Sequence, residues 1–239
     1  MAARQREKRV VLSRAGEVDV RVVERAPGAR VVIPESATQL ALLRIAVATL
    51  LLFTPEVRHA RELAAAPVGL RVAPEGLGWF VRWVPISPNL ATAVQTACVL
   101  AALCAAVGLV ARPALVLLTA TAFYLGALGQ LSGAVWHDMH LIWFAALLAA
   151  SPCDEALAFD RRGSAAPEDS VRYGLPLLVA RLLLACVYFF PGFHKLWTSG
   201  LGWALSDNLR NQLWWKWAQY GVVPSLRIDR APWLLHGAG

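Results

Sequence analysis

The sequence predicts an all-α fold, a polytopic transmembrane helical bundle, and three observations predict it. The 239-residue chain is 57% hydrophobic and only 16% charged, against about 45–50% and about 25% in an ordinary soluble domain. Its mean hydropathy is +0.50. Its apolar residues gather in runs that approach or exceed the roughly 18–20 residues needed to cross a bilayer. Because the hydrocarbon core offers no water to unpaired backbone groups, such runs become helices.

Residues 1–36 read as a short basic N-terminal segment and residues 37–239 as the transmembrane domain. The segment carries Arg4, Arg6, Lys8, Arg9 and Arg14 and lacks the long apolar core of a signal peptide. Val18, Val20 and Val22 alternate with charged residues, which suits either a small β-hairpin or a disordered tail. About five spans follow, at residues 38–53, 90–110, 114–131, 135–150 and 173–190. Arg44 interrupts the first and Arg181 the fifth. Residues 54–88 form a loop rich in Pro, Gly and Arg, and the indoles of Trp79 and Trp83 place it on the membrane surface. Arg112-Pro113 supplies the turn between the second and third spans. The fourth opens with Trp136-His137-Asp138-Met139-His140 and ends at Ser151-Pro152. After the fifth, Leu201, Leu205, Leu209, Leu213 and Trp217 recur every four residues, predicting an amphipathic interfacial helix. Residues 231–237 resemble the start of a further, truncated span.

Net charge is +7 and the isoelectric point near 9.7. Much of the excess lies in the N-terminal segment, where it sets topology and touches anionic lipid rather than nucleic acid. With the N-terminus cytoplasmic, twelve Lys and Arg lie on the inner side and nine on the outer. That orientation brings the head of span four and the end of span five to the same outer side. Cys98, Cys104, Cys153 and Cys186 show no metal-ligand spacing, three lie in apolar runs, and they read as buried small hydrophobes.

Several groups carry chemistry. Lys195 is a candidate general base at the membrane edge, where desolvation favours the neutral amine, or a lysine snorkelling to headgroups. His137 and His140 share a helical face at i and i+3 and serve as a proton-transfer pair, as metal ligands or as packing groups. Arg44 and Arg181 cannot face lipid comfortably. They either bind an anionic headgroup, carboxylate or bicarbonate, or cap carbonyls and pair with neighbouring helices.

Three passages carry a resemblance: LLRIAVATLLLF at the first span, VWHDMHLIWFAALLAASPCDEALAFDRR at the fourth and CVYFFPGFHKLWTSGLGW at the fifth. They resemble the horizontally transferred transmembrane (HTTM) domain family, which includes vitamin K-dependent gamma-glutamyl carboxylase. The resemblance covers roughly residues 38–239 and implies a bacterial inner-membrane protein acting on a peptide or protein substrate with a reduced, vitamin K hydroquinone-like quinone. It implies that Lys195 deprotonates the quinone, with His194 where the carboxylase has another lysine. Oxygen addition, removal of a glutamate γ-proton and trapping by carbon dioxide would follow. His137, or His140 three residues on, would handle the glutamyl carbanion. The candidate cofactor-binding groups are then His194 together with Arg44 and Arg181, the two arginines being read from their place in apolar spans and not from the resemblance. Two other classes stay open: a non-catalytic membrane accessory for partner anchoring or secreted-peptide maturation, and a quinone- or haem-binding redox component.

Overall fold

The computed structural model describes residues 11–12, 18–19, 33–74, 76–131, 139–164, 167–202, 206–225, 227 and 229. The described fold is helical apart from one two-residue antiparallel pairing, β1 (Val11–Leu12) with β2 (Val18–Asp19). The readings placed on His137, on most of the basic segment and on the truncated span at 231–237 lie outside the described residues.

Helix α1 (Ala37–Leu52) begins at Ser36, whose hydroxyl accepts from the Gln39 amide at 3.3 Å. Such a cap satisfies one of the amides that lack an intrahelical partner. After Phe53 the chain folds into α2 (Pro55–Arg58), α3 (Ala60–Ala65) and α4 (Gly78–Trp83). The expected loop is therefore a folded cap. Phe80 is buried, the Trp79 ring stacks on Phe123, and the Tyr124 hydroxyl donates to the Pro85 carbonyl at 3.1 Å. Gln95 donates to the Val57 carbonyl at 2.7 Å.

Ser87 caps α5 (Pro88–Val107), and Pro88 occupies its first turn, where a missing amide costs nothing. The turn into α6 (Ala111–Gln130) lies at Gly108–Val110 and not at Arg112-Pro113. Gly108 takes the left-handed conformation, φ 75°, which only glycine adopts without strain. Pro113 falls in the first turn of α6, where proline is tolerated. Helix α7 (Met139–Ala149) ends where expected, with Ser151 Oγ donating to the Leu148 carbonyl at 2.9 Å. Helix α8 (Val171–Ser199) is longer than the predicted fifth span and continues through Pro191, His194 and Lys195. Helix α9 (Asn208–Tyr220) follows.

Among the described residues, three helices are long and apolar enough to cross a membrane, α5, α6 and α8, with mean hydropathies of 2.0, 1.4 and 1.9. Helices α1 and α7 are apolar but shorter, 16 and 11 residues, or about 24 and 16 Å of rise. The protein is thus helical, with apolar helices suited to a bilayer. Pairwise packing of α5 with α6, α6 with α7 and α1 with α5 forms the centre. Small residues line these contacts: Ala41, Ala48, Ala91, Ala102, Ala105 and Ala127 are all fully buried. Small side chains let helices approach closely where lipid supplies no hydrophobic drive.

One end of the bundle is fastened by the segment after α7. Glu35 and Ser170 exchange backbone hydrogen bonds of 3.1 and 3.3 Å, and the Val110 amide donates to Asp160 Oδ2 at 2.6 Å. Arg112 pairs with Asp154 at 3.0 Å, and Glu155 accepts from both Arg172 and the Tyr173 hydroxyl. These contacts gather the start of α1, the α5–α6 turn, the end of α7 and the start of α8; we call this the near end. The cap built from α2, α3 and α4 lies at the opposite, far end.

Candidate functional site

Arg44 belongs to the near end. Its side chain is wholly buried, and its guanidinium donates to the carbonyls of Cys153 and Leu157, both at 2.6 Å. Irregular backbone is tolerated at such depth only where protein groups satisfy it. The capping reading of Arg44 is thus the one its geometry displays. Gly108 sits against the same knot: a methyl there would lie 2.5 Å from Ala158 Cα and 3.1 Å from the Arg44 guanidinium. Arg181 pairs with Glu35 at 2.9 Å, so both arginines predicted within spans have protein partners.

Lys195 and His194 stand in the outer half of α8. From Tyr173 to Ala180 the helix has buried residues, whereas from Arg181 to Ser199 it has none. Phe189, Phe193 and Trp197 form a stacked ladder along one side, with centroids 5.8 and 6.0 Å apart. Lys195 is two residues from Phe193 and Trp197, about 160° around the helix at 100° per residue. Lysine and ladder therefore occupy opposite faces. Lys195 lies 24 residues beyond Val171, about 36 Å of helical rise, a length greater than the roughly 30 Å thickness of a hydrocarbon core.

His140 occupies the first turn of α7, half-buried and edge-on to Phe144, ring centroids 6.0 Å apart. Its depth follows from Gly126, where an added methyl would lie 2.7 Å from Met139 Sδ. Gly126 is 15 residues into α6, about 22 Å of rise. Since α6 and α8 start at the same end, an untilted α8 carries Lys195 about 14 Å farther along the axis than His140. The two residues stand at different depths, and His137 lies outside the described residues.

The sequence reading passed over Glu56. It is buried, 4% exposed, in the single turn of α2. The signal was available in Thr54-Pro55-Glu56 directly after the first apolar run, a helix-start pattern. Glu56 and Thr54 line a small, half-open cleft of about 10 Å³ together with Leu51, Val57, Ala122, Gly126, Met139 and Ile142. Met139 and Ile142 also line a groove of about 750 Å³ between α6 and α7, where they are joined by Val116, Thr119, Phe123 and Trp143.

In α9 the half-buried residues are Asn208, Leu209, Arg210, Leu213 and Trp217, so two polar side chains share the sheltered positions with three members of the predicted stripe. The chain after Gly221 doubles back on this helix. Arg227 lies over the Trp217 ring at 5.3 Å, and buried Asp229 accepts from Trp214 Nε1 at 3.0 Å and from Arg227 at 2.7 and 2.8 Å. The Arg227 fork, helped by Trp214, holds the Asp229 carboxyl well below the usual carboxylate range. Compared with protein-family models, curated proteins and solved structures, the chain matches none.

Proposed function

We propose that this chain is an integral membrane protein of the HTTM kind, with the near end cytoplasmic, whose far end carries lysine-centred proton transfer on a membrane quinone. The observation that supports it is the position of Lys195. Its helix is fastened at the near end and, crossing the bilayer, is long enough to bring the amine to the depth where the ring of a membrane-dissolved quinone would meet water. A reduced quinone would supply an acidic hydroxyl and reducing equivalents. Lys195 Nζ, when neutral, holds the proton taken from that hydroxyl, and His194 adds a second proton-carrying group one residue away. The different depth of His140 gives it another task, proton transfer at a carbon acid of the peptide substrate. Trp214, Trp215 and Trp217 keep α9 at the headgroup level, where indoles partition favourably.

The test uses the full chain in lipid nanodiscs with a reduced naphthoquinone, oxygen, a glutamate-rich peptide and labelled bicarbonate. We expect quinol oxidation coupled to label incorporation, and Lys195→Ala to lower both at least about a hundredfold, the usual contribution of a general base. Oxidation no faster than in empty nanodiscs, or an unchanged rate in the variant, would sink the proposal.

One observation favours a second reading. The outer half of α8 exposes Tyr188, Phe189, Phe190, Phe193 and Trp197, which suits a membrane accessory that pairs with a partner helix there. Under that reading Lys195→Ala is silent, while Phe189→Ala with Phe193→Ala abolishes recovery of the partner from mild detergent.

A further inference from the structure

The open groove between α6 and α7 runs lengthwise between two antiparallel helices. One wall is Val116, Thr119 and Phe123 on α6; the other is Met139 and Trp143 on α7, with Ala150 just after it. Arg112 precedes Val116 by four residues and so shares its face of α6. Its Nε donates to Asp154 Oδ1 at 3.0 Å, and Asp154 follows Ala150 by four residues. The pair therefore joins the two walls at the near-end mouth of the groove. From Arg112 to Phe123 is 11 residues, about 16 Å of rise, close to half of a hydrocarbon core about 30 Å thick. The groove thus has the length of a single leaflet, with a cation at its mouth.

Its two ends differ in chemistry. The groove, about 750 Å³, is of the size that small amphiphiles fill. Its lining is apolar except for Thr119, whose hydroxyl donates to the Leu115 carbonyl at 2.7 Å. A guest's polar part thus belongs at the mouth and its apolar part inside. At the mouth the bond to Asp154 engages Nε, and the two side chains are 47% and 30% exposed. A guanidinium carries five donors in a fork, so its terminal nitrogens can hold a phosphate oxygen as well. Arg161 and Arg162, both exposed, flank the same turn, because neighbouring Asp160 accepts from the Val110 amide at 2.6 Å. Three arginines thus accompany two carboxylates around the start of α6, and each carboxylate already accepts from a protein donor. A partner helix crossing the membrane would need a seam through both leaflets, and this one serves a single leaflet.

We propose that the α6–α7 groove binds one anionic phospholipid of the near-end leaflet. An acyl chain lies along the groove, and the phosphate accepts from Arg112 at its mouth, as basic pockets between membrane helices take anionic headgroups. The site requires that α6 cross the bilayer and does not depend on the proton transfer assigned to Lys195.

The test uses the full chain in phosphatidylcholine nanodiscs and a phosphatidylglycerol with a diazirine at the end of one acyl chain. A phosphatidylcholine probe of the same chains is the control. On illumination, the phosphatidylglycerol probe labels peptides containing residues 116–123 and 139–150 saturably, and unlabelled phosphatidylglycerol displaces it. The control labels them without saturation. Arg112→Gln, checked for helicity by circular dichroism, weakens half-saturation about fivefold, the scale of one arginine near an anionic surface. Arg112→Lys, which keeps the charge, stays within about twofold of the parent. Asp154→Asn, which removes the competing carboxylate, tightens half-saturation. Equal saturation by the two probes overturns the site, as does an unchanged half-saturation in folded Arg112→Gln or an equal loss in Arg112→Lys. Label excluded from these peptides at every probe level means that protein fills the groove, a partner helix or a second copy, and overturns it too. Should Arg112→Gln fail to fold, Asp154→Asn decides: unchanged or weaker labelling there overturns the site.

Discussion

Arg44 carries the largest single-residue consequence in the molecule. Its charge is buried and its two hydrogen bonds hold the carbonyls of Cys153 and Leu157. Replacing it with methionine keeps much of the volume but leaves both carbonyls without that donor. Bonds from a charged donor contribute roughly 1.5–3 kcal/mol each, so losing two in Arg44→Met should cost about 3–6 kcal/mol, read as a lower thermal midpoint in detergent. A variant melting within a degree of the parent would show that the knot does not depend on the guanidinium. Gly108→Ala tests the same knot from the other side. It combines a left-handed backbone with a methyl set 2.5 Å from Ala158 Cα. Backbone cannot yield as a flexible side chain does, so a loss of about 2–3 kcal/mol is expected. Gly163 has φ 83° with open space around it, so Gly163→Ala should cost only about 1 kcal/mol. The contrast separates contact from backbone strain.

At the scale of elements, α9 and the chain folded onto it have a pH dependence of defined sign. The folded Asp229 carboxyl is held below its ordinary value by Arg227 and Trp214. A carboxyl depressed on folding contributes stability that is present above its unfolded pKa, near 3.9, and lost as pH falls through the folded value. Trp214 fluorescence should therefore stay constant from pH 7 to about 4 and change only below that. Asp229→Asn should remove the transition; a transition near pH 6 in the parent would point to another group. The apolar runs made the central helices legible to within a few residues at most ends, because a bilayer leaves backbone no alternative to helix. The end of α8 lies beyond the predicted fifth span because the polar pair His194-Lys195 ends the apolar run without ending the helix. Proline within a membrane helix is tolerated where neighbouring groups re-satisfy the freed carbonyl. The cap at 54–87 was missed for a different reason. Its helices are four to six residues long, too short for a periodic pattern, and their stability comes from Phe80, Tyr124 and Gln95 contacts made across the chain. Glu56 was hidden with them. Of the predicted site, the depths of Lys195 and His140 follow from helix arithmetic, but the partners of Arg44 and Arg181 lie more than 100 residues away in sequence and no local pattern announces them.

For the whole molecule, the contacts sort the connecting segments into two groups. Residues 33–36, 108–110, 151–164 and 167–170 meet at the near end, and the cap built from α2, α3 and α4 lies at the far end. If all five apolar helices cross the bilayer, as the proposed function requires, these groups face opposite compartments. Helices α1 and α7 are short for such a crossing, at about 24 and 16 Å against a core of about 30 Å. The irregular chain after α7 offsets the shortfall there, since Cys153, Ala156 and Ala158 are buried and their segment continues through the depth that α7 leaves. Single cysteines placed at Ser164 and Gly69, in a background with Cys98, Cys104, Cys153 and Cys186 changed to alanine, test the sorting directly. Both sites are exposed, so both should react with a charged, membrane-impermeant maleimide, each from one side only. In inside-out vesicles Ser164→Cys should label and Gly69→Cys should not; in right-side-out spheroplasts the pattern should reverse. Labelling of both from the same side would mean that an odd number of these helices lies along the membrane or beside it. Lys195 would then no longer be carried to the far surface by α8, and the proton-transfer proposal would fail with the topology.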